Sequence, residues 1–141
     1  MISKILGKKF APSARVVSLK RGRGFTFPIV GESHYQRNLE KIVGGKSDGG
    51  AKFETDVFLA READNPHDQN AVCVIIKNLP VGYLPREKAR QYVAYMDQLG
   101  IGMSHATCRG KIVGGWKHED GHEGSFGVRL SLSWPPKLTE K

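Results

Sequence analysis

One segment in the middle of the chain constrains the fold most, because a dense polar turn gives way to strongly apolar strands. The polar part runs from Asp64 to Asn70, and the run that follows, Ala71 to Ile76, is apolar and rich in β-branched residues. A break at residues 77–80 precedes a second short run, Val81 to Leu84, and Pro85 then opens a helical pattern. This order predicts a loop, a buried strand, a tight turn, a second strand and a helix.

The polar turn contains more hydrogen-bonding side chains than a turn requires. Proline fixes its own φ and biases the residue before it toward extended geometry, so Asn65-Pro66 is a good turn start. Asp and Asn side chains also bond to nearby backbone amides, and one such turn uses one or two of them. The residues therefore leave two interpretations open: a solvated turn, or a binding site. The polar residues present are Asp64, Asn65, His67, Asp68, Gln69 and Asn70.

Alternating and helical patterns elsewhere predict the remaining elements. A short amphipathic helix is expected from Tyr35 to Val43, and a longer one from Pro85 to Leu99, closed by Gly100. Six or seven short strands with one or two short helices indicate a mainly β fold with minor α. A closed or partly open barrel is favoured over a βαβ sheet. The further predicted strands are Val16 to Leu19, Phe25 to Gly31, Phe53 to Leu59, Ser104 to Gly114 and Phe126 to Trp134.

The charge of the chain indicates a polyanionic partner. Its 141 residues include 22 Lys and Arg but 14 Asp and Glu, a net charge of +8. For one small domain this basic excess is marked. Residues 1–24 contain seven basic residues and no acidic one. They are either a solvated extension or an arm that follows DNA phosphates, with salt-sensitive affinity.

Cysteine usage and hydropathy bear on where the protein works. Cys73 and Cys108 each fall inside a predicted strand and form no CxxC pair. We expect buried free thiols, which fit a reducing cytosol. No apolar run approaches the ~20 residues of a membrane helix, and the first residues lack the features of a signal peptide. The expectation is a soluble, cytoplasmic protein.

Two short motifs resemble catalytic signatures without meeting their requirements. The residues from His118 to His122 have the HExxH spacing, but that zinc motif works on a helix and glycines surround it here. We predict a polar hairpin instead. The segment Gly44 to Gly50 lacks the spacing of a phosphate-binding loop and is interpreted as a mobile linker. We therefore expect a protein without enzymatic activity, metal or cofactor.

Three motifs together resemble a known family. They are V-G-E-S-H-Y from Val30, D-N-P-H-D-x-N-A-V from Asp64, and V-G-Y-L-P-R-E from Val81. These are similar to the HIRAN domain, which occurs in standalone bacterial proteins and fused to SNF2-type DNA remodellers. The resemblance covers residues 25–134. It leaves a basic N-terminal extension, residues 1–24, and a C-terminal tail, residues 135–141.

The resemblance implies an OB-like β-barrel that binds single-stranded DNA and captures its free 3′-hydroxyl end. Asp68 falls on the position that accepts the hydroxyl, and Asn65 falls on a neighbouring polar contact. His67 and Phe126 fall on positions that flank the terminal base. One member that is fused to a DNA remodeller carries an Arg-Tyr pair in the first strand, where this chain has Phe27-Pro28-Ile29.

Two further positions complete the implied site. Tyr83 lies in the V-G-Y-L strand near the pocket, and Arg86 follows it at a basic position that would meet a phosphate. The matched set contains an acceptor, aromatic walls and a cation. These are the groups that a terminal nucleotide needs.

Three functions are compatible with the sequence, ahead of a distant fourth, a metal-dependent nuclease that would use Asp64 and Asp68. The first is sequence-independent capture of 3′-hydroxyl ends of single-stranded DNA, in DNA repair or replication-fork processing, with a helicase or nuclease partner. The second is general binding of DNA or RNA through the basic surface, without recognition of ends. The third is a protein-interaction adaptor that uses the edge of the barrel.

Overall fold

The computed structural model describes residues 15–139 in full, and residues 4–5 and 8–9 by their backbone alone. The fold is mainly β with two short helices, as predicted. The helical elements are a 3₁₀ turn (Glu32–His34), α1 (Gln36–Val43) and α2 (Arg86–Gln98). The strands are β1 (Lys4–Ile5), β2 (Lys8–Lys9), β3 (Val16–Ser18), β4 (Phe27–Pro28), β5 (Ala51–Arg61), β6 (Val72–Ile76), β7 (Leu79–Tyr83), β8 (His105–Gly114) and β9 (Phe126–Ser131).

One curled sheet forms the body of the protein, and β8 is at its centre. The strand order is β4-β9-β8-β5-β6-β7, and all of these neighbours are antiparallel. β3 pairs in parallel with the first part of β8, which confirms the edge strand predicted near Val16. Because side chains alternate across a strand, one face of β5 and β8 is buried and the other carries charges. β1 and β2 pair only with each other.

The sheet is an OB-like half-barrel whose two edges are tied together at Val30. The Val30 amide donates to the Tyr83 carbonyl, and the Tyr83 amide donates to the Val30 carbonyl, both at 2.8 Å. Gly82 permits this approach. A Cβ at that position would lie 2.6 Å from the Val30 carbonyl oxygen and 2.8 Å from Cδ1 of Ile29. The closure of the barrel therefore depends on a residue without a side chain.

The long helix α2 packs on the core through the predicted apolar stripe. The stripe residues Ala89, Tyr92, Val93 and Met96 are buried in the main hydrophobic cluster, together with inward residues of the sheet. Leu99 was predicted on the same stripe but is 46% exposed at the end of the helix. Of the helices in the described ranges, none is long and apolar enough to cross a membrane.

The interpretation of residues 44–50 as a mobile linker is wrong. The Ser47 amide donates to the Gly115 carbonyl at 3.2 Å, and the Lys117 amide donates to the Ser47 carbonyl at 2.8 Å. Lys46 also forms an ion pair with Glu123 at 3.1 Å. The segment is thus held against the loop of residues 115–124. No periodic sequence pattern predicts these contacts, because most of them are made by backbone groups of two irregular segments.

The loop of residues 115–124 is a polar hairpin, as predicted. The His118 amide donates to the His122 carbonyl at 2.9 Å, and the residues between them form a turn. Lys117 and Glu123 form the bridge at its base. The two imidazoles therefore do not share the face of a helix.

Both ends of the described chain contribute to the folded unit. Leu19 is buried, and its amide donates to the Thr107 carbonyl at 3.0 Å. Leu138 forms an isolated bridge with Leu19, and its amide donates to the Tyr95 hydroxyl at 2.9 Å. The segments predicted to flank the barrel therefore pack against it where they are described. The first fourteen residues, with Lys4, Lys8 and Lys9 of the basic extension, lie outside the fully described part.

Both cysteines are buried and neither is in a disulfide bond, as predicted. Burial, reinforced by the nearby charge of Asp56, raises the pKa of Cys108 to about 12. The thiol of Cys108 is therefore protonated at neutral pH and is a poor nucleophile.

The barrel closure generates a stability prediction. We expect Gly82→Ala to lower the free energy of unfolding by about 1–3 kcal/mol, because the added Cβ overlaps the Val30 carbonyl and forces the two edges apart. Urea unfolding followed by circular dichroism measures the change. Gly49→Ala is the matched control, because a Cβ there meets nothing within 4 Å. Equal stabilities of the two variants would contradict the role assigned to Gly82.

Candidate functional site

The polar turn after β5 is held by two of its own side chains. Asn65 Oδ1 accepts hydrogen bonds from the amides of His67 at 2.9 Å and Asp68 at 3.1 Å. Asp68 Oδ1 accepts from the Asn70 amide at 2.9 Å. These are Asx-type bonds that fix an irregular backbone without burying it. One oxygen of Asp68 is therefore used by the loop itself.

A buried carboxylate connects this turn to the adjacent strand β7. Glu62 is 2% exposed, and its Oε1 accepts from Asn65 Nδ2 and from the Tyr83 hydroxyl, each at 3.0 Å. A buried carboxylate is tolerated when donors compensate its lost hydration. Glu62 thereby fixes the orientation of two predicted site residues. The sequence analysis missed Glu62, whose signal was an acidic residue between an apolar strand and the polar turn.

The environment of Tyr83 keeps its hydroxyl protonated. Burial raises the pKa of Tyr83 far above its ordinary value, and the neighbouring Cys73 and Glu62 raise it further. The phenol is therefore a neutral donor to Glu62 throughout the physiological range. Its ring is half-buried and faces the turn across a cleft.

Five of the six predicted site residues line this one cleft, which has a volume of about 380 Å³. It lies where the polar turn, β7 and the start of α2 meet. Its walls combine an apolar surface with polar groups on one side, a composition typical of ligand sites. The predicted residues are Asn65, His67, Asp68, Tyr83 and Arg86, and the further lining residues are Val30, Ala71 and Leu84.

Asp68 and Arg86 meet across the cleft in a loose ion pair. Asp68 Oδ2 lies 3.5 Å from Arg86 Nε, which is long for a charged hydrogen bond. The Arg86 side chain is 69% exposed and that of Asp68 is 22% exposed. Exposed pairs of this kind contribute about 0–1 kcal/mol. Little free energy is therefore lost when a ligand separates them.

The predicted role of Phe126 does not fit its position. The alternation of β9 turns Phe126, Val128 and Leu130 inward, and Phe126 is 3% exposed. Its amide donates to Gln36 Oε1 at 2.8 Å, and its ring packs so closely on Gly115 that no Cβ would fit there. Phe126 is a core residue outside the cleft. A buried ring cannot flank a base without unpacking the core, so we remove Phe126 from the site.

Residues 27–29 do not supply the cation and hydroxyl that the family pair would have placed there. Phe27 and Ile29 are buried in the core, and Pro28 is exposed on β4. The cleft is reached by this segment only at the next residue, Val30.

The described residues contain no group of three His, Cys, Asp or Glu side chains close enough to hold a metal ion.

Comparison with known proteins gives one match. A family model described as "HIRAN domain" matches residues 24–113. This range includes every residue of the cleft and ends before Phe126. No curated protein matches the chain, and no solved structure matches it.

The buried carboxylate generates a second stability prediction. We expect Glu62→Ala to lower the free energy of unfolding by about 1–3 kcal/mol, because the Tyr83 hydroxyl and the Asn65 amide lose their acceptor. Glu62→Gln keeps a carbonyl acceptor and should cost less. The matched control is Glu54→Ala, which removes an exposed carboxylate from β5, the strand that Glu62 follows. If urea unfolding gives Glu62→Ala the stability of Glu54→Ala, the anchoring role is wrong.

The raised pKa of Tyr83 predicts a pH dependence at the alkaline end. Above about pH 10 the unfolded chain loses the phenolic proton while the folded protein keeps it, so folding stability falls as pH rises. Tyr92, whose pKa burial also raises, contributes in the same sense. We expect Tyr83→Phe to flatten part of this slope in unfolding curves measured between pH 9 and 11, a window about one unit either side of the ordinary value. An unchanged slope would contradict the assignment.

Proposed function

Since the chain belongs to the HIRAN domain family, whose members are DNA-binding modules, we propose that its cleft captures the free 3′-hydroxyl end of single-stranded DNA. The observation that carries this proposal is the arrangement of Asp68. One of its oxygens bonds to the Asn70 amide, and the other has, among residues 15–139, only the loose contact with Arg86 at 3.5 Å. That second oxygen has the capacity to accept a hydrogen bond from a ligand.

A carboxylate distinguishes the two chemical forms of a DNA end. It accepts a hydrogen bond from a 3′-hydroxyl, and it repels a 3′-phosphate. Two unit charges about 4 Å apart interact by about 1 kcal/mol in water and about 4 kcal/mol near a protein surface. Since Asp68 is partly buried, the repulsion lies between these limits. This repulsion favours the hydroxyl end by about fivefold or more, since about 1.4 kcal/mol corresponds to tenfold.

Arg86 provides the attraction that a carboxylate alone would lack. Its exposed guanidinium lies at the mouth of the cleft and is held by a weak ion pair. A phosphate one nucleotide before the end is a better partner for the guanidinium than Asp68, because it offers bidentate contact. When Arg86 turns to that phosphate, the Asp68 oxygen becomes available to the terminal hydroxyl.

The side walls of the cleft suit a base of any sequence. His67 is exposed on one side, and the ring of Tyr83 is fixed by its hydrogen bond to Glu62. Stacking on an aromatic ring contributes about 1–3 kcal/mol per base and does not depend on base identity. Val30 and Leu84 add apolar contact. The site would thus recognise an end and not a sequence.

We propose a non-enzymatic module, because the groups that line the cleft are suited to binding and orienting a DNA end. It needs no cofactor, because the hydroxyl, base and phosphate are each met by a side chain. Holding a 3′ end is useful to an enzyme that extends, trims or unwinds the strand. A role in DNA repair or replication-fork processing, beside a helicase or nuclease, follows from this chemistry.

The test compares two oligothymidylates that differ only in a 3′-hydroxyl or a 3′-phosphate, both labelled at the 5′ end. We expect the unsubstituted protein to bind the hydroxyl form about tenfold more tightly in fluorescence anisotropy. Asp68→Asn keeps an acceptor for the Asn70 amide and removes the charge. Its affinities for the two oligonucleotides should therefore converge.

Asp64→Asn is the matched control, because Asp64 is an exposed acid of the same turn that does not line the cleft. It should retain the preference for the hydroxyl end. Equal affinities of the unsubstituted protein for both ends would contradict end capture and favour general polyanion binding. Failure to bind either oligonucleotide at low salt would favour a protein-interaction adaptor.

A further inference from the structure

A group of cations surrounds an aromatic ring on the outer face of the sheet, away from the core. The ring of Phe25 is half-buried, and its centroid lies 5.7 Å from Arg21 Cζ and 5.9 Å from Lys111 Nζ. Arg129 is exposed and pairs with Lys111 in the ladder between β8 and β9. We call these four residues, Arg21, Phe25, Lys111 and Arg129, the outer basic face.

Lys111 and Arg129 of this face differ from two other cations of the sheet, which have ion-pair partners. Arg61 is paired with Asp97 and Arg109 with Asp56, each at 3.0 Å. Within residues 15–139, no ion pair joins Lys111 or Arg129 to a carboxylate. Glu54 stands opposite Lys111 in the register of β5 and β8 but forms no ion pair with it. An unpaired basic face with an aromatic ring is the combination that single-stranded DNA binders use to follow a strand.

The outer basic face is continuous with the cleft along β4. Phe27 and Ile29 point into the core, so Pro28 and Val30 are on the outer side. Val30 lines the cleft, and Pro28 lies beside Arg129 in the ladder of β4 and β9. A strand rises about 3.3 Å per residue and neighbouring strands are about 4.8 Å apart. Two residues along the chain, from Val30 back to Pro28, and one strand across therefore connect the cleft to Arg129.

We propose that the outer basic face binds the phosphodiester backbone of the DNA segment that precedes the captured end, an inference that rests on the proposed function for the path of the strand. A cleft of about 380 Å³ is near the lower limit for ligand sites and suits a terminal nucleotide. OB folds bind about 4–16 nucleotides, so the rest of the strand needs another surface. Lys111 and Arg129 meet phosphates there, and Phe25 offers its ring to a base.

The test removes the two least compensated charges and measures how binding depends on salt. In single strands each phosphate contact adds about 0.7 to the slope of log affinity against log salt, so Lys111→Gln with Arg129→Gln should make the slope shallower by about 1.4. The probe is a long 5′-labelled oligothymidylate with a 3′-hydroxyl. A dithymidylate, which occupies only the cleft, should bind the variant as it binds the unsubstituted protein.

The matched control is Lys77→Gln with Lys117→Gln, which makes the same change in net charge. Lys77 and Lys117 are exposed in the β6–β7 turn and the 115–124 hairpin, away from the cleft. A slope change no larger than that of the control would overturn the proposal. Circular dichroism melts of both double variants check that the fold is retained, which is expected because Arg129, Lys77 and Lys117 are exposed and Lys111 is half-buried outside the core.

The role of the ring has its own variant. Phe25→Leu keeps an apolar side chain and removes the aromatic surface, so the long oligonucleotide should bind about fivefold more weakly with the salt slope unchanged. If the affinity of Phe25→Leu is unchanged, Phe25 does not take part in binding. If the salt slope of the Lys111→Gln, Arg129→Gln variant is unchanged, these two cations do not take part either. The 3′-hydroxyl and 3′-phosphate probes report separately on the cleft. A shallower slope without end preference would therefore retain the outer basic face and reject end capture.

Discussion

The buried carboxylate of Glu62 is the interaction on which the site depends. It is the shared acceptor of Asn65 and Tyr83, so one oxygen joins the polar turn to the neighbouring strand. Asn65 in turn fixes the backbone of His67 and Asp68. The orientation of the side chains that line the cleft is thus set by a buried group beneath them. A loop held this way needs little reorganisation when it binds.

The site also depends on the closure of the sheet by the pairing of Val30 with Tyr83. The backbone of Tyr83 completes the barrel while its side chain forms a wall of the cleft. The same two residues therefore serve the fold and the site. An end-binding cleft at one edge and an outer basic face beside it make one continuous surface, on which recognition and affinity are provided by different residues.

Much of the fold follows from local pattern, whereas the site follows only in part. The run from Val72 to Ile76 and the stripe on α2 predicted their elements because burial imposes a period on apolar residues. The polar turn stood out because it contained more hydrogen-bonding groups than a turn uses. Glu62 did not stand out in the sequence, since a single acidic residue at the end of a strand belongs to no periodic pattern. Phe126 was misassigned because an alternating strand does not reveal which aromatic ring is core and which is accessible.

The pairing at Val30 is short, because two backbone hydrogen bonds with Tyr83 close the barrel there. The ladder between β5 and β8 is much longer. Local opening of the sheet should therefore begin where Val30 pairs with Tyr83. A nucleotide bound between Val30 and the polar turn would contact both parts and oppose that opening. Occupancy of the cleft would then slow amide exchange at Val30 and along β7, including residues of β7 that do not line the cleft.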